Sequence, residues 1–209
     1  MRYRRVTRNG TDMPSSSTSV FSEPDDYQAE LQRVIGFVLT VAGAGDFRAA
    51  LTRIDLPRIH LMAGEESLAR LAIISLPSHT MRVALPPQRN GAVSSDGIPS
   101  REDEILIHGP GHRVLERTIG PCHWRTILLP PEDLSRYGRA MVGAMFNVPD
   151  GMHRLRPARA ALRRLSRLHN TAIRMTKIHP DVVTAAEPAH GLEQELIDAL
   201  IECLSTGSI

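Results

Sequence analysis

The chain has 209 residues, of which 42% are hydrophobic and only 4% are aromatic. This length suffices for one large domain whose core is built mainly from Leu, Ile, Val, Met and Ala. Its 25 Lys and Arg residues nearly balance its 23 Asp and Glu residues, so a formal charge of +2 excludes a chain-wide basic signature for nucleic acid.

The composition predicts a cytoplasmic protein without a membrane span. No run of eighteen or more apolar residues is present, as a transmembrane helix would need. Four arginines lie near the N-terminus, but no apolar run follows them as in a signal peptide. Cys122 and Cys203 lie far apart in the sequence and are expected to be reduced, buried thiols, with a bridge between them left open.

The N-terminal region divides into a tail and a short helix. Residues 1–22 are basic and then Ser-rich, which predicts a disordered tail. The next segment, SEPDDYQAELQRV, predicts a helix, because Ser22 can cap it and Pro24 suits its first turn. Its acidic residues favour the positive end of a helix.

From Ile35 to Leu129 the chain consists of apolar or alternating runs of five to ten residues, separated by Gly, Pro, Asn, Asp and Ser. This pattern predicts an antiparallel all-β sandwich or barrel. No helical pattern intervenes, which argues against a doubly wound α/β fold. Consecutive hairpins are expected to turn near Pro57 and again near Gly64–Glu66, and a further short strand is expected around Gly91–Ser94.

Helices are predicted after the strands. The segment PPEDLSRYGRAMVG begins with Pro and acidic residues and indicates a first helix, and MFNVPDGMHRLRP links it to two closing helices. Pro188 and Gly191 mark the start of the last helix, and Gly207 lies just beyond its end. Glu193 is expected on a face away from the apolar stripe. The whole chain is therefore α+β.

The two closing helices each carry an apolar stripe at a 3.6-residue period. Such stripes pack on a sheet of the same chain or pair with the helices of a second copy. For the second case, the candidate dimerisation residues are Leu162, Leu165, Leu192, Leu196 and Leu200.

Neither a metal site nor a nucleophile site is indicated by the residues. His108 and His112 flank Gly109, Pro110 and Gly111, which form a turn rather than a helix, and the sequence has no His-x-His. Cys122 and His123 are neighbours on a predicted strand and point to opposite faces, so they form no catalytic dyad. We therefore predict no catalytic residue, no metal ligand and no cofactor.

Trp124 is the single tryptophan and alternates with Cys122, Thr126 and Leu128 on one face of its strand. If that face points inward, Trp124 lines the interior and either stacks on a ligand or serves as a core aromatic. Together with His60 and His108 it forms our set of candidate effector-binding residues.

Five segments of the chain together carry a family resemblance. In order, they are FSEPDDYQAEL, GDFRAALTRIDLPRIHLMAGEESLARLA, ERTIGPCHWRTILLPPEDL, LRPARAALRRLSRLHNTA and LEQELIDALIECL, and they span roughly residues 21 to 205. This ordered set resembles the N-terminal regulatory region of AraC-type bacterial transcription regulators. In particular, it resembles the branch with a cupin-like barrel and a helical dimerisation tail.

The resemblance implies a domain organisation and a function. Residues 23–150 are expected to form the cupin-like β-barrel that senses a small molecule, and residues 151–209 the helical segment that pairs two subunits. The family continues into a C-terminal domain with two helix-turn-helix units that reads DNA. This sequence stops at Ile209, so we expect no specific operator binding by the chain alone.

The expected partners are a second copy of the chain, full-length relatives in mixed dimers, and an unidentified small-molecule effector. DNA is expected to be a partner only through a separate DNA-binding domain, and a membrane is not expected to be one. The alternative functions are a cupin-like metal-dependent enzyme, and a degenerate remnant whose folded barrel binds no ligand.

Overall fold

The computed structural model describes residues 13–87, 93–143, 146, 148 and 151–207. This part of the chain contains two antiparallel sheets and five helices. The strands are β1 (Ser15–Phe21), β2 (Gly36–Val41), β3 (Ala49–Asp55), β4 (His60–Glu66), β5 (Arg70–Ser75), β6 (Met81–Ala84), β7 (Val93–Ser95), β8 (Ile98–Pro99), β9 (Ile105–His108), β10 (Arg113–Thr118), β11 (Cys122–Leu129) and β12 (Met152–Leu155). The helices are α1 (Pro24–Leu31), α2 (Pro131–Val142), α3 (Arg159–Ile178), α4 (Pro180–Thr184) and α5 (Ala186–Thr206).

The two sheets differ in size. The larger has the strand order β1-β3-β4-β11-β6-β9-β12, and the smaller has the order β2-β5-β10-β7-β8. The apolar runs predicted between Ile35 and Leu129 form strands of both sheets, with β2 at an edge of the smaller one. The predicted α+β class with a cupin-like β-sandwich is therefore confirmed.

Two separate apolar cores hold the layers together. The first lies between the sheets and includes Phe37, Met62 and Val114, with Tyr27 and Leu31 of α1 packed into it. The second lies between the outer face of the larger sheet and the helices α2 to α5. Helices α2 to α5 therefore cover only the larger sheet.

Strand β11 contributes to both cores. Cys122, Trp124 and Leu128 belong to the core between the sheets, whereas Ile127 and Leu129 belong to the core beneath the helices. Successive side chains of a strand point to opposite faces, which explains this division. The alternation predicted for this strand is confirmed, and the structure shows that the face with Trp124 is the one that points inward.

The N-terminal region differs from the prediction of a disordered tail. Residues 1–12 lie outside the described part of the chain, but Ser15–Phe21 pairs along its whole length with β3. A polar segment can form an edge strand because its backbone groups, rather than its side chains, make the pairing. Helix α1 begins at Pro24 as predicted, but Glu23 rather than Ser22 holds the capping position, without a side-chain hydrogen bond.

Only one of the two predicted hairpins is present. Strands β3 and β4 turn at Pro57 as expected, but β4 runs straight through Gly64 to Glu66, and β5 belongs to the other sheet. Gly64 lies opposite Trp124, and a Cβ atom built there would lie 2.2 Å from its indole ring. The glycine that indicated a turn therefore makes room for a large side chain within a strand.

Two short strands differ from the sequence prediction, one in its position and one because it was predicted as a link. A short strand was expected around Gly91–Ser94; β7 covers Val93–Ser95, while residues 91 and 92 lie outside the described part. The segment predicted as a link before the closing helices contains β12, which pairs with β9 and extends the larger sheet past residue 150.

The predicted helices are present, but the last of them begins earlier than predicted. Helix α2 occupies the predicted segment, and α5 begins at Ala186, before the predicted start signals Pro188 and Gly191, and ends just before Gly207. None of the described helices is long and apolar enough to cross a membrane. Cys122 and Cys203 are both buried and free, so the expected thiols are confirmed.

The leucines predicted for dimerisation pack inside the chain instead. Leu165, Leu196 and Leu200 are at most 1% exposed, Leu162 is buried, and Leu192 is half-buried against the same core. Helices α3 and α5 pack against each other, and α3 also lies on the larger sheet, so both stripes are covered within one subunit. A helix stripe has the same period whichever surface covers it, which is why the sequence left this choice open.

Glu193, which was predicted to lie away from the apolar stripe of α5, is buried and anchors this helix to the β3–β4 turn. Its carboxylate is 1% exposed and accepts hydrogen bonds from the Arg58 backbone N–H and Nε, each at 2.6 Å. Arg58, in the turn between β3 and β4, also contacts Tyr137 of α2 through the hydroxyl and the ring face. One ion pair therefore joins the turn, α2 and α5.

We expect Glu193→Gln to lower the free energy of unfolding by about 2 to 4 kcal/mol, because it leaves the partly buried Arg58 guanidinium without its counter-ion. Urea denaturation measures this loss. The control is Glu195→Gln, which removes a carboxylate from an exposed pair with Arg164 on the same helix and should cost less than about 1 kcal/mol. Equal losses in the two variants would contradict the assignment of Glu193 as the anchor.

Candidate functional site

Four charged side chains face each other in the space between the two sheets. The larger sheet contributes Glu66 and Arg82, and the smaller contributes Arg70 and Glu116. Each of the four is no more than 4% exposed. Charged groups this deeply buried are rare unless they are paired.

The four residues form a continuous chain of ion pairs, which we call the interior charge network. Arg70 Nε donates to Glu66 Oε2 at 2.5 Å, and its Nη2 lies 3.4 Å from Glu116 Oε2. Arg82 Nη1 donates to Glu116 Oε1 at 2.6 Å. Burial raises the pKa of Glu116, but the adjacent Arg82 and Arg70 outweigh it and hold that pKa at about 2. Glu116 is therefore ionised at neutral pH.

Glu66 receives further hydrogen bonds from three neutral donors. Tyr27 Oη and Trp124 Nε1 each donate to Oε1 at 2.8 Å, and Cys122 Sγ lies 3.2 Å from Oε2. Burial raises the pKa of the Tyr27 hydroxyl, and the nearby Glu66 charge adds to the effect. Burial likewise raises the pKa of the Cys122 thiol. Both groups therefore stay protonated and act as donors rather than nucleophiles.

Several polar atoms beside the network lack a hydrogen-bond partner among the described residues. They are Arg70 Nη1, Ser95 Oγ and both ring nitrogens of His108. Ser95 lies opposite Glu116 in the strand register, and His108 lies opposite Arg82. Buried polar groups are normally paired, so these atoms are the ones that a bound molecule could engage.

His108 is uncharged at neutral pH. It is completely buried, and burial lowers its pKa to about 3, with the positive charge of Arg82 acting in the same direction. A neutral imidazole has one donor nitrogen and one acceptor nitrogen. His108 therefore offers one hydrogen bond of each kind.

The space beside the network is narrow. The cleft between Arg82, Ser95, Glu116 and Trp124 has a volume of about 20 Å³, which holds about one water molecule. Glu104 lies at the same cleft and is bound by arginines of the β12 region. A larger occupant would have to move part of this wall.

The structure separates the three residues predicted to bind an effector. Trp124 and His108 both face the space between the sheets. His60 lies at the β3–β4 turn, where its Nδ1 is 2.8 Å from Asp55 Oδ1 and its side chain is 41% exposed. His60 is therefore not part of the interior charge network.

Sequence reasoning missed the four charged residues and Ser95. Arg82 and Glu116 sit at positions that alternate with apolar residues on their strands, so a search for charged residues at inward positions would have found them. Glu66 was hidden because its segment was interpreted as a turn.

The positions of the histidines bear on whether the chain holds a metal ion. The rings of His108 and His112 lie 5.6 Å apart between centroids. Across the residues that the structure describes, no group of three or more His, Cys, Asp or Glu side chains is arranged to hold a metal ion.

Comparison with known proteins gives a likeness to solved structures. No protein-family model matches the sequence, and no curated protein matches it. The fold is similar to that of the AraC-like transcriptional activator CuxR, with a TM-score of 0.59 and 14% sequence identity. The match covers 91% of this chain and 70% of that chain. At this identity the likeness shows a shared fold, which agrees with the family resemblance of the segments described above.

We expect the free energy of unfolding to fall as the pH drops from about 6.5 towards 3. His108 and His169 are both fully buried, and burial holds the pKa of each at about 3. The unfolded chain binds protons on these histidines below pH 6.5 while the folded chain does not. Each histidine therefore removes about 1.4 kcal/mol of stability per pH unit in this window.

Urea denaturation between pH 7 and pH 5 tests this expectation. His169→Gln should reduce the pH slope by about half, since one of the two buried histidines is removed. His190→Gln, at an exposed position of α5, serves as the control and should keep the full slope. An unchanged slope in His169→Gln would contradict the expectation.

Proposed function

We propose that this chain is the effector-sensing and subunit-pairing region of an AraC-type transcription regulator, and that it binds a small uncharged polar molecule between its two sheets. The likeness to the fold of an AraC-like activator supports the class of protein. The single observation that supports the ligand site is the set of unpartnered polar atoms of Arg70, Ser95 and His108 beside the interior charge network.

The charges of the interior favour an uncharged ligand. Two guanidinium groups are matched by two carboxylates, and His108 is neutral, so the site has no net charge to balance that of an ion. An unpaired buried polar group costs about 1 to 3 kcal/mol. A ligand with hydroxyl or carbonyl groups that bonds these atoms recovers this energy, which is how the site would select it.

Strand β11 provides a route from the interior to the helices. Arg82 Nε donates to Thr126 Oγ1 at 3.2 Å, so the network contacts this strand directly. The backbone carbonyl of Thr126 lies 3.3 Å from Nε2 of His169 on α3. A ligand that rearranges the network would shift β11 and, with it, the position of α3. The response is a population shift between two helix arrangements.

A thermal-shift screen against small uncharged metabolites tests the ligand site. We expect at least one compound to raise the melting temperature, since a ligand that binds only the folded state stabilises it. Ser95→Ala and His108→Asn should each weaken the binding about tenfold by removing a hydrogen-bonding group.

Ser94→Ala is the matched control because Ser94 is the neighbouring residue on the same strand and alternates to the other face. It should bind as the unaltered protein does. A compound that binds equally well to the Ser95→Ala and Ser94→Ala variants would contradict an interior site.

Pairing of two subunits is proposed to use exposed residues of the helical layer. The five leucines predicted for this role are covered within the subunit, so they contribute to the interface only by holding the helices in place. Ile178 at the end of α3 and Val182 of α4 are 59% and 47% exposed. Two adjacent exposed apolar side chains would favour a symmetric contact with a second copy.

Sedimentation velocity at tens of micromolar tests this pairing. We expect a dimer that dissociates in the double variant Ile178→Asp and Val182→Asp, because a charge placed in an apolar contact is costly. Val38→Asp, at a 51% exposed position of the smaller sheet, is the control and should leave the dimer intact. A monomer in the unaltered protein, or in the control variant, would rule out this interface.

We infer that operator DNA is contacted by a helix-turn-helix domain rather than by the sandwich or its helical layer. The support is the likeness to the fold of an AraC-like transcriptional activator, together with the packing of α3 and α5 against the sheet and against each other, which covers their apolar stripes. No catalytic role is proposed for Cys122 or Tyr27, since burial keeps both protonated.

A further inference from the structure

A second opening lies outside the sandwich, where α3 crosses the outer face of β4 and β11. Its volume is about 310 Å³, at the lower end of the range for small-molecule sites. We call it the α3 groove and define it by six polar residues, which are Glu65, His123, Arg125, Asn170, Arg174 and Lys177.

The α3 groove carries an excess of positive charge. Three cationic side chains, those of Arg125, Arg174 and Lys177, face one carboxylate. That carboxylate, Glu65, binds Lys177 at 2.7 Å, which leaves the other two cations without it. Arg174 is exposed and forms no ion pair within the described part of the chain.

Arg125 at the base of the groove is the distinctive feature. Only 7% of it is exposed, and its guanidinium donates to two neutral oxygens, Asn170 Oδ1 at 2.8 Å and the Pro86 carbonyl at 2.7 Å. Its Nε has no hydrogen-bond partner among the described residues. Burial lowers the pKa of Arg125 to about 10, so the side chain remains charged at neutral pH.

A buried guanidinium without a counter-ion is unusual, both in general and within this molecule. Burying a charge is costly unless an opposite charge accompanies it. The other two deeply buried arginines, Arg70 and Arg82, each pair with a glutamate. Arg125 has no such partner among the residues that the structure describes, and it lies beneath an opening lined by two further cations.

We propose that the α3 groove binds a small molecule through an oxyanion, either a phosphate or a carboxylate group. Arg125 supplies the buried charge at the base, and Arg174 and Lys177 close on the anion from α3. Guanidinium groups suit this role because their planar forked donors match the oxygens of phosphate and carboxylate. The α3 groove and the interior cleft share His123, Trp124 and Arg125 as lining residues, but the groove opens on the side of β11 that faces α3. The proposed ligand of the groove differs from that of the interior in charge.

An oxyanion in the groove would tie α3 to β11. Arg125 is on the strand, whereas Arg174 and Lys177 are on the helix, so an anion between them contacts both elements at once. Asn170 already joins α3 to Arg125, and the anion would add to that contact. The groove would therefore stabilise one position of the helix.

Thermal melting in sodium phosphate and in sodium malonate, each against sodium chloride at the same ionic strength, tests the proposal. Both anions are probes, and any that binds the folded protein must raise the melting temperature. We expect a saturable rise with at least one of them. A larger rise with phosphate assigns a phosphorylated ligand, and a larger rise with malonate assigns a carboxylate.

Variants on α3 separate this site from general charge effects. Arg174→Met should weaken the binding about tenfold through the loss of a charge-assisted hydrogen bond. Arg167→Met removes an exposed arginine of the same helix that does not line the groove, and should change the binding less than about twofold. Both positions are exposed, so neither variant is expected to unfold the protein.

Three outcomes would overturn the proposal. The first is that neither anion gives a saturable rise in the melting temperature. The second is that Arg174→Met and Arg167→Met weaken anion binding equally. The third is that Ser95→Ala abolishes anion binding. The last outcome would place the anion in the interior and not in the groove. The metabolite screen of the interior site could find no ligand, and the anion measurements would still test the α3 groove. The two experiments are independent because the variants that test the groove, at Arg174 and Arg167, differ from those that test the interior, at Ser95 and His108.

Discussion

The cross-sheet ion network is the constraint on which the rest of the structure depends. Each sheet contributes one glutamate and one arginine to it, and each pair joins one sheet to the other. An unpaired charge in this interior would cost several kcal/mol, so Glu66, Arg70, Arg82 and Glu116 can be buried only when the two sheets face each other in one register. Apolar contacts alone are far less selective, because aliphatic side chains pack against one another in many alignments. The network thus specifies the alignment of the sandwich, and the same groups give its interior a polar, uncharged character.

Strand β11 connects this interior to everything outside it. Its inward side chains reach the network, through Trp124 and Thr126, and its outward side chains support α3. Arg125, between those two inward residues, forms the base of the α3 groove. One strand therefore touches the proposed interior site, the proposed anion site and the helix that is expected to respond. Because a strand in the middle of a sheet is hydrogen-bonded on both sides, it moves as a rigid element and can pass small displacements from one face to the other.

Sequence patterning predicted the elements whose side chains follow a regular period. The alternation around Trp124 predicted the strand and the residues that share each of its faces, because half-buried strands alternate strictly. It failed where one residue type serves two purposes. Gly64 indicated a turn but makes space for the indole, and the stripe that contains Leu196 allowed either a subunit contact or packing within the chain, of which the structure shows the second. Glu193 was expected away from that stripe, and only its partner 135 positions away explains its burial. The edge strand β1 has no apolar pattern at all, because its backbone carries the pairing.

The three most buried arginines of the sheets show how partner identity separates a structural role from a functional one. Arg70 and Arg82 have carboxylate partners within the fold, so their charges are neutralised without any other molecule. Arg125 is nearly as well covered, yet its described partners are an amide oxygen and a backbone carbonyl. Neutral acceptors offset part of the cost of burying a charge but supply no opposite charge, so the fold retains a destabilising feature at this position. Such a feature persists when something outside the fold compensates for it, and an oxyanion entering the adjacent groove is the simplest group that does so. The interior and the groove thus favour different ligands for the same electrostatic reason, since one is already neutral and the other is not.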